Sequence, residues 1–165
     1  MPDTIRILGI DPSTQATGRA ILEVAGREET VGALGVYKPR GANLDEKLLD
    51  AYEWMQQVIE QLKPDVVAIE TPFFKLNAQT MFTLASLGAA YRLAATRAGL
   101  RVIEVPPAKR CTAVGMPGNA SKAQLLYTIN AIYHLHLTDR NIGDSIAIAA
   151  AAALQIRTED IQKGG

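Results

Sequence analysis

The sequence predicts an α/β domain built on a mixed five-stranded sheet flanked by helices. Three observations carry that expectation. The first three apolar runs are joined by loops too short for a crossover, which favours antiparallel pairing of the first three strands. Two later apolar runs each follow a stretch of helical period, so each returns parallel to a neighbour. Two of the five runs end in a lone carboxylate, Asp11 and Glu70, and strand ends are where open α/β sheets place ligands.

Each element follows from its own residues. "IRILGID" (5–11) reads as a buried strand, "TGRAILEV" (17–24) as its neighbour across a short turn, and "TVGALGVYK" (30–38) as the third. "LDEKLLDAYEWMQQVIEQL" (44–62) puts Leu48, Tyr52, Met55, Ile59 and Leu62 at helical spacing, with Asn43 as its cap and Glu46 three residues on. "KPD" ends that helix, and "VVAIE" (66–70) is a continuous apolar strand. "NAQTMFTLASLGAAYRLAATRAG" (77–99) is a long helix without an acid, apolar nearly all round and closed by Gly99. Such a helix is either a central core element or packs its free side on a second subunit. "RVIEV" (101–105) is the fifth strand, and "PPAKRCTAVGMPGNA" is a Pro- and Gly-rich connection with room for a short helix. "SKAQLLYTINAIYHL" (121–135) is a helix opened by a Ser121–Gln124 capping box, and "NIGDSIAIAAAAALQIRTEDI" is the last helix. No repeat or linker interrupts the chain, so residues 1–160 are expected to form one domain, with 161–165 a frayed tail.

Composition narrows the function classes. The 165 residues are 48% apolar and 21% charged, ordinary for a globular protein. Lys and Arg number 17, as do Asp and Glu, so the total charge gives no support for a nucleic-acid partner. Its distribution does: residues 75–122 carry +6 and the remainder −6, which allows a basic face on a neutral chain. A single cysteine, Cys111, excludes an internal disulfide and fits a reducing compartment. The first residues lack a secretory leader pattern, and no uncharged apolar stretch approaches the ~20 residues of a membrane span. The expectation is a cytoplasmic protein with no membrane contact.

The acids suggest a chemistry. Parallel neighbours lie ~4.8 Å apart, so Asp11 and Glu70 at adjacent strand ends can share one small site. Carboxylates at the edge of a core repel each other unless a cation lies between them. Oxygen ligands favour a hard cation such as Mg²⁺, and paired ions about 4 Å apart are a common device for cutting phosphodiesters. The plainer alternative has Asp11-Pro12 opening a turn and Glu70 exposed. Asp144 is a third acid, with Asn141 one helical turn before it on the same face. Here the plainer alternative makes Asn141 the helix cap and Asp144 a first-turn acid favoured by the dipole.

Four blocks resemble those of the RuvC-type Holliday-junction resolvases, endonucleases of the RNase H-like superfamily. "ILGIDPSTQATGRAIL" is similar to that family's first-strand motif, and "VVAIETPFFKLNAQTMFTLASLGAA" to its second block of acid, aromatic, Asn and Gly-containing helix. "VPPAKRCTAVGMPGNASKAQLL" resembles its basic block, and "NIGDSIAIAAAAAL" its closing acid and Ala-rich helix. The blocks occur in family order over nearly the whole chain. The resemblance implies an RNase H-like fold, a homodimer, and metal-dependent paired nicking of a four-way DNA junction. It implies Asp11, Glu70, Asp144 and Asn141 as ligands of Mg²⁺, two ions per subunit, with Mn²⁺ as a substitute. Lys122 would approach a phosphate beside the reacting centre. Lys109, Arg110, Lys75 and Lys122 would contact DNA, and Phe73 would stack on a base at the crossover. A branch-migration motor as a further partner is left open.

Three departures from the family pattern stand out. Asn141 occupies a place usually given to an acid, which leaves three carboxylates. Ser13 replaces a Gly in the first turn, and Pro72 follows the second acid directly. Besides a resolvase, the residues admit a non-catalytic junction binder of the same fold, a nuclease of other branched DNA, or a hybrid-cutting RNase H-like enzyme. An ATP-binding domain of the sugar-kinase and actin type shares the first hairpin, but needs two lobes for which 165 residues leave no room.

Overall fold

A computed structural model describes residues 3–72 and 77–164. Strands β1 (Ile5–Asp11), β2 (Thr17–Ala25) and β3 (Glu28–Tyr37) form an antiparallel meander. Helix α1 (Leu44–Leu62) leads to β4 (Val66–Glu70), and α2 (Ala78–Arg97) leads to β5 (Arg101–Val105). Helices α3 (Pro107–Thr112), α4 (Lys122–Tyr133) and α5 (Arg140–Lys163) complete the chain. The sheet order is β3-β2-β1-β4-β5, with β4 parallel to β1 and β5 parallel to β4. This is the mixed five-stranded sheet the sequence predicts, with its first three strands antiparallel.

Local chemistry sets the helix boundaries. Asn43 and Ser121 accept from Glu46 and Gln124 backbone N–H groups, and at α4 the reciprocal bond closes a full capping box. Asn77 caps α2 in the same way through Thr80. Helix α1 ends where Lys63 turns left-handed, ahead of Pro64. Helix α5 is capped by Asp139, whose carboxylate accepts from the N–H groups of Asn141 and Ile142. Asn141 is therefore not the cap, and Asp144 stands in the second turn, beyond the reach of a first-turn role. Helix α5 runs to Lys163, past residue 161 where the tail was expected to fray; Gln155 and Glu159 hydrogen-bond along its exposed side.

The sheet is covered on both faces. Ile7, Leu22, Ala68, Ile103 and the alanines of α5 fill one side, with α3 and α4 packed outside α5 through Cys111, Leu125 and Ile129. Leu8, Ile10, Ile21, Met55, Leu87 and Tyr91 fill the other, beneath α1 and α2. The buried central helix is α5, with eleven buried residues, whereas α2 buries Leu87, Tyr91, Ala94 and Ala95. Phe82 and Leu93 on α2 are each 61% exposed, so α2 keeps large apolar side chains at the surface and is not the central core helix.

Candidate active site

Asp11 is the last residue of β1 and Glu70 the last of β4, and the parallel register pairs the residues just before them, Ile10 and Ile69. The third acid arrives on α5, which lies directly on β1 and β2. A Cβ built on Gly9 would fall 2.0 Å from the Ser145 carbonyl oxygen, and one on Gly18 would fall 2.2 Å from that of Asn141. Both positions must be glycine because helix backbone occupies the space a side chain would take. That close seating puts Asp144 beside Asp11 at the end of the middle strand, and the two are 1% and 5% exposed.

The turn after Asp11 is built by its own hydroxyls. Ser13 Oγ accepts from the N–H groups of Gln15 and Ala16, while Thr17 Oγ1 bonds the Ser13 carbonyl and amide. Ser13 is not among the residues with positive φ, so its Cβ costs the turn nothing. Thr17 Oγ1 also meets the buried Tyr91 hydroxyl at 2.9 Å, which ties the turn to α2.

Two cations stand among the three carboxylates. Lys122 Nζ lies 2.7 Å from Asp144 Oδ2 and 3.7 Å from Asp11 Oδ2. Arg110 pairs with Glu70 and places Nη1 3.7 Å from Asp144 Oδ2. Burial pushes the Asp11 carboxyl up to about 6, with Lys122 pulling it down and Asp144 adding to the rise. Burial raises Glu70 as well, reinforced by Asp11 and opposed by Arg110. Burial works against charge on Arg110 and Lys122, but the surrounding carboxylates outweigh it and raise both.

Among the described residues, no three His, Cys, Asp or Glu side chains stand as a ready metal cage. Lys122 and Arg110 occupy the ground between the acids. The donor set nevertheless fits a hard divalent cation. Oδ1 of Asp144 is buried without a partner, and Oδ2 is held by its ion pairs with Lys122 and Arg110. A buried carboxylate oxygen without a partner is costly and calls for one. With Asp11, Glu70 and the Asn141 side-chain carbonyl, Asp144 offers an all-oxygen set.

The acids open into a cleft of about 430 Å³ lined by Asp11, Glu70, Arg110, Lys122 and Asn141, with Thr14 and Thr80 at its rim. All five site residues expected from the acids and the second lysine thus meet in one place, joined by Arg110. Lys109 does not join them; it is exposed and lines a separate cleft with Thr112, Leu154 and Thr158. On short α3 the two side chains point ~100° apart, so only one of them reaches the carboxylates. Phe73 and Lys75 lie outside the described residues. Thr80, in the first turn of α2, is a rim residue that sequence reasoning missed; the cap at Asn77 was its only signal.

The basic stretch is less bare than its count suggests. Arg92 pairs with Glu104, Arg101 with Glu159, Arg110 with Glu70 and Lys122 with Asp144. Among the described residues of that stretch, Arg97 and Lys109 have no ion pair.

Comparison with known proteins fits this geometry. The sequence profile of the family described as crossover junction endodeoxyribonuclease RuvC matches residues 7–152. The Caulobacter vibrioides protein of that name is 37% identical over 150 residues, covering 90% of this chain and 89% of the relative. That of Dehalococcoides mccartyi is 34% identical over 148 residues, covering 88% and 89%. Among solved structures, Thermus thermophilus RuvC superposes with a TM-score of 0.81 at 23% identity, covering 94% of this chain and 97% of that one. The same protein in complex with a Holliday junction substrate gives 0.83 at 23% identity, covering 94% and 96%. The two Thermus structures carry the fold, which is RNase H-like.

Proposed function

This chain belongs to the crossover junction endodeoxyribonuclease family, and from that membership we propose that Asp11, Glu70, Asp144 and Asn141 form its metal-dependent centre for cutting four-way DNA junctions. The chain is an endonuclease that resolves Holliday junctions by breaking phosphodiester bonds. The observation that supports this site most directly is the meeting of three largely buried acids, Asp11, Glu70 and Asp144, with Oδ1 of Asp144 left without a partner.

Bound Mg²⁺, two ions in the full complex with Mn²⁺ as substitute, would supply Lewis acidity and a more acidic water. The chain's own groups do the rest. Asp11, at the end of the middle strand of the sheet, is the shared ligand. Asp144 is fixed by a helix that cannot retreat without opening the seam at Gly9 and Gly18. Glu70 is oriented by Arg110. Asn141 contributes a neutral carbonyl oxygen, which lowers the charge of the set. Lys122 is half exposed at the start of α4, where the positive helix end adds to its own charge, and it binds the phosphate being cut. Lys109 and Lys75 contact flanking phosphates, and Phe73 stacks on a base at the crossover, a contact worth about 1–3 kcal/mol.

The working unit is a homodimer in the cytoplasm, formed through the outer side of α2 with Phe82 and Leu93. A branch-migration motor is compatible with this reading but adds nothing to the site. The deciding experiment is cleavage of a mobile four-way junction with mapped cut sites, in Mg²⁺ and in Mn²⁺. Paired, symmetric nicks on strands of like polarity are expected. Binding without nicking in either metal would instead make the chain a junction binder, the reading that Asn141 favours.

A further inference from the structure

The acids of this site hold two full positive charges of their own chain. We propose that Lys122 and Arg110 are the resident counter-ions of the Asp11–Glu70–Asp144 cluster, that divalent metal competes with them for it, and that the release of Lys122 from the acids makes it available to DNA phosphate.

The charges make the case. Three carboxylates and two cations leave the cluster at −1. Adding one divalent ion with both side chains in place gives +1, and adding two gives +3, in a site whose acids are shielded from water. Like charges a few ångströms apart under partial burial repel strongly. Lys122 Nζ at 2.7 Å from Asp144 Oδ2 and 3.7 Å from Asp11 Oδ2 stands where a shared cation would have to bind. Arg110 likewise reaches both Glu70 and Asp144.

The two are built differently. Lys122 is 46% exposed, on a flexible stem at the first position of α4, and can swing outward at little cost. Arg110 is 11% exposed, with its Nε buried and unbonded, so it is held in place. Lys122 is therefore the group that yields to the first metal ion. Freed, it stands at the mouth of the cleft with its charge uncompensated, where a phosphodiester supplies the missing negative charge. Metal and DNA then bind with positive coupling, since each removes what opposes the other.

This rests on the metal-nuclease reading, and the test separates the two. Mg²⁺ binding is measured by calorimetry without DNA at pH 8.5, on the wild type, Lys122→Met, Arg110→Gln and Asp144→Asn. Lys122→Met is expected to bind Mg²⁺ at least about fivefold more tightly than the wild type, the lower end of usual coupling effects. Arg110→Gln should do the same, unless removal of this buried side chain disturbs the fold, which a melting curve reports. In parallel, junction binding by the wild type should tighten when Ca²⁺ is added, and Lys122→Met should lose most of that gain. Unchanged or weaker Mg²⁺ binding by Lys122→Met overturns the counter-ion role. If the wild type and Asp144→Asn bind Mg²⁺ equally, the metal site itself is misplaced, a separate failure.

Discussion

The two faces of the sheet are packed by opposite means. On the α5 face, helix backbone closes directly on strand backbone at Gly9 and Gly18, with alanines of α5 and side chains such as Ile7 and Ile103 filling the rest. On the α1–α2 face, bulky side chains such as Met55, Leu87 and Tyr91 interlock between helix and sheet. The first arrangement fixes position and the second fills volume. The site acids Asp11 and Asp144 both depend on the first.

The largest expected effect tests what that precision serves. Asp11→Asn should lower cleavage by roughly 10³-fold or more, the scale for one member of a set acting as a unit, while junction binding measured by gel shift persists. Next comes a direct contrast between the faces. Gly9→Ala drives a Cβ into the Ser145 carbonyl, and such overpacking costs about 1–3 kcal/mol. Met55→Ala leaves a cavity and costs about 2–5 kcal/mol. Yet at 25 °C Gly9→Ala should lose cleavage almost completely and Met55→Ala should keep most of it. Equal losses per degree of lowered Tm would erase the distinction between the faces.

Smaller effects sharpen it. Asn141→Asp should tighten Mg²⁺ half-saturation about tenfold, because ligand charge sets affinity for hard cations; weaker saturation would give Asn141 an orienting role. The pH dependence should also be one-sided. Asp11, pushed up to about 6 in the folded state, binds protons more readily folded than unfolded. Its contribution therefore favours folding at low pH and is lost as pH rises through about 6. In chelator, the Tm of the wild type should fall between pH 5 and pH 8 more than that of Asp11→Asn, as thermal melts will read.

Much of this was legible in the sequence, unevenly. The strands, the antiparallel pairing of the first three and the acids at two strand ends followed from apolar runs and loop lengths, while the full strand order did not. Asp144 as a site acid rested on the resemblance, because a helix acid near a start has a simpler explanation; the structure removes that explanation by giving the cap to Asp139. Which long helix lies at the centre was not legible. Alanine fits buried and exposed positions alike, so α2 and α5 look similar until burial separates them. The choice between Lys109 and Arg110 depended on the rotation of the six-residue helix α3, which no spacing fixes.

The seam at Gly9 and Gly18 also limits how this chain can diverge. Most tight contacts drift over evolutionary time by exchange, one side growing as the other shrinks. Here a larger residue at Gly9 or Gly18 would meet main-chain carbonyl oxygens of Ser145 and Asn141, which no substitution can trim. No side-chain change at those two partners restores the space, so Gly9 and Gly18 lack the compensatory routes open to the side-chain contacts around them.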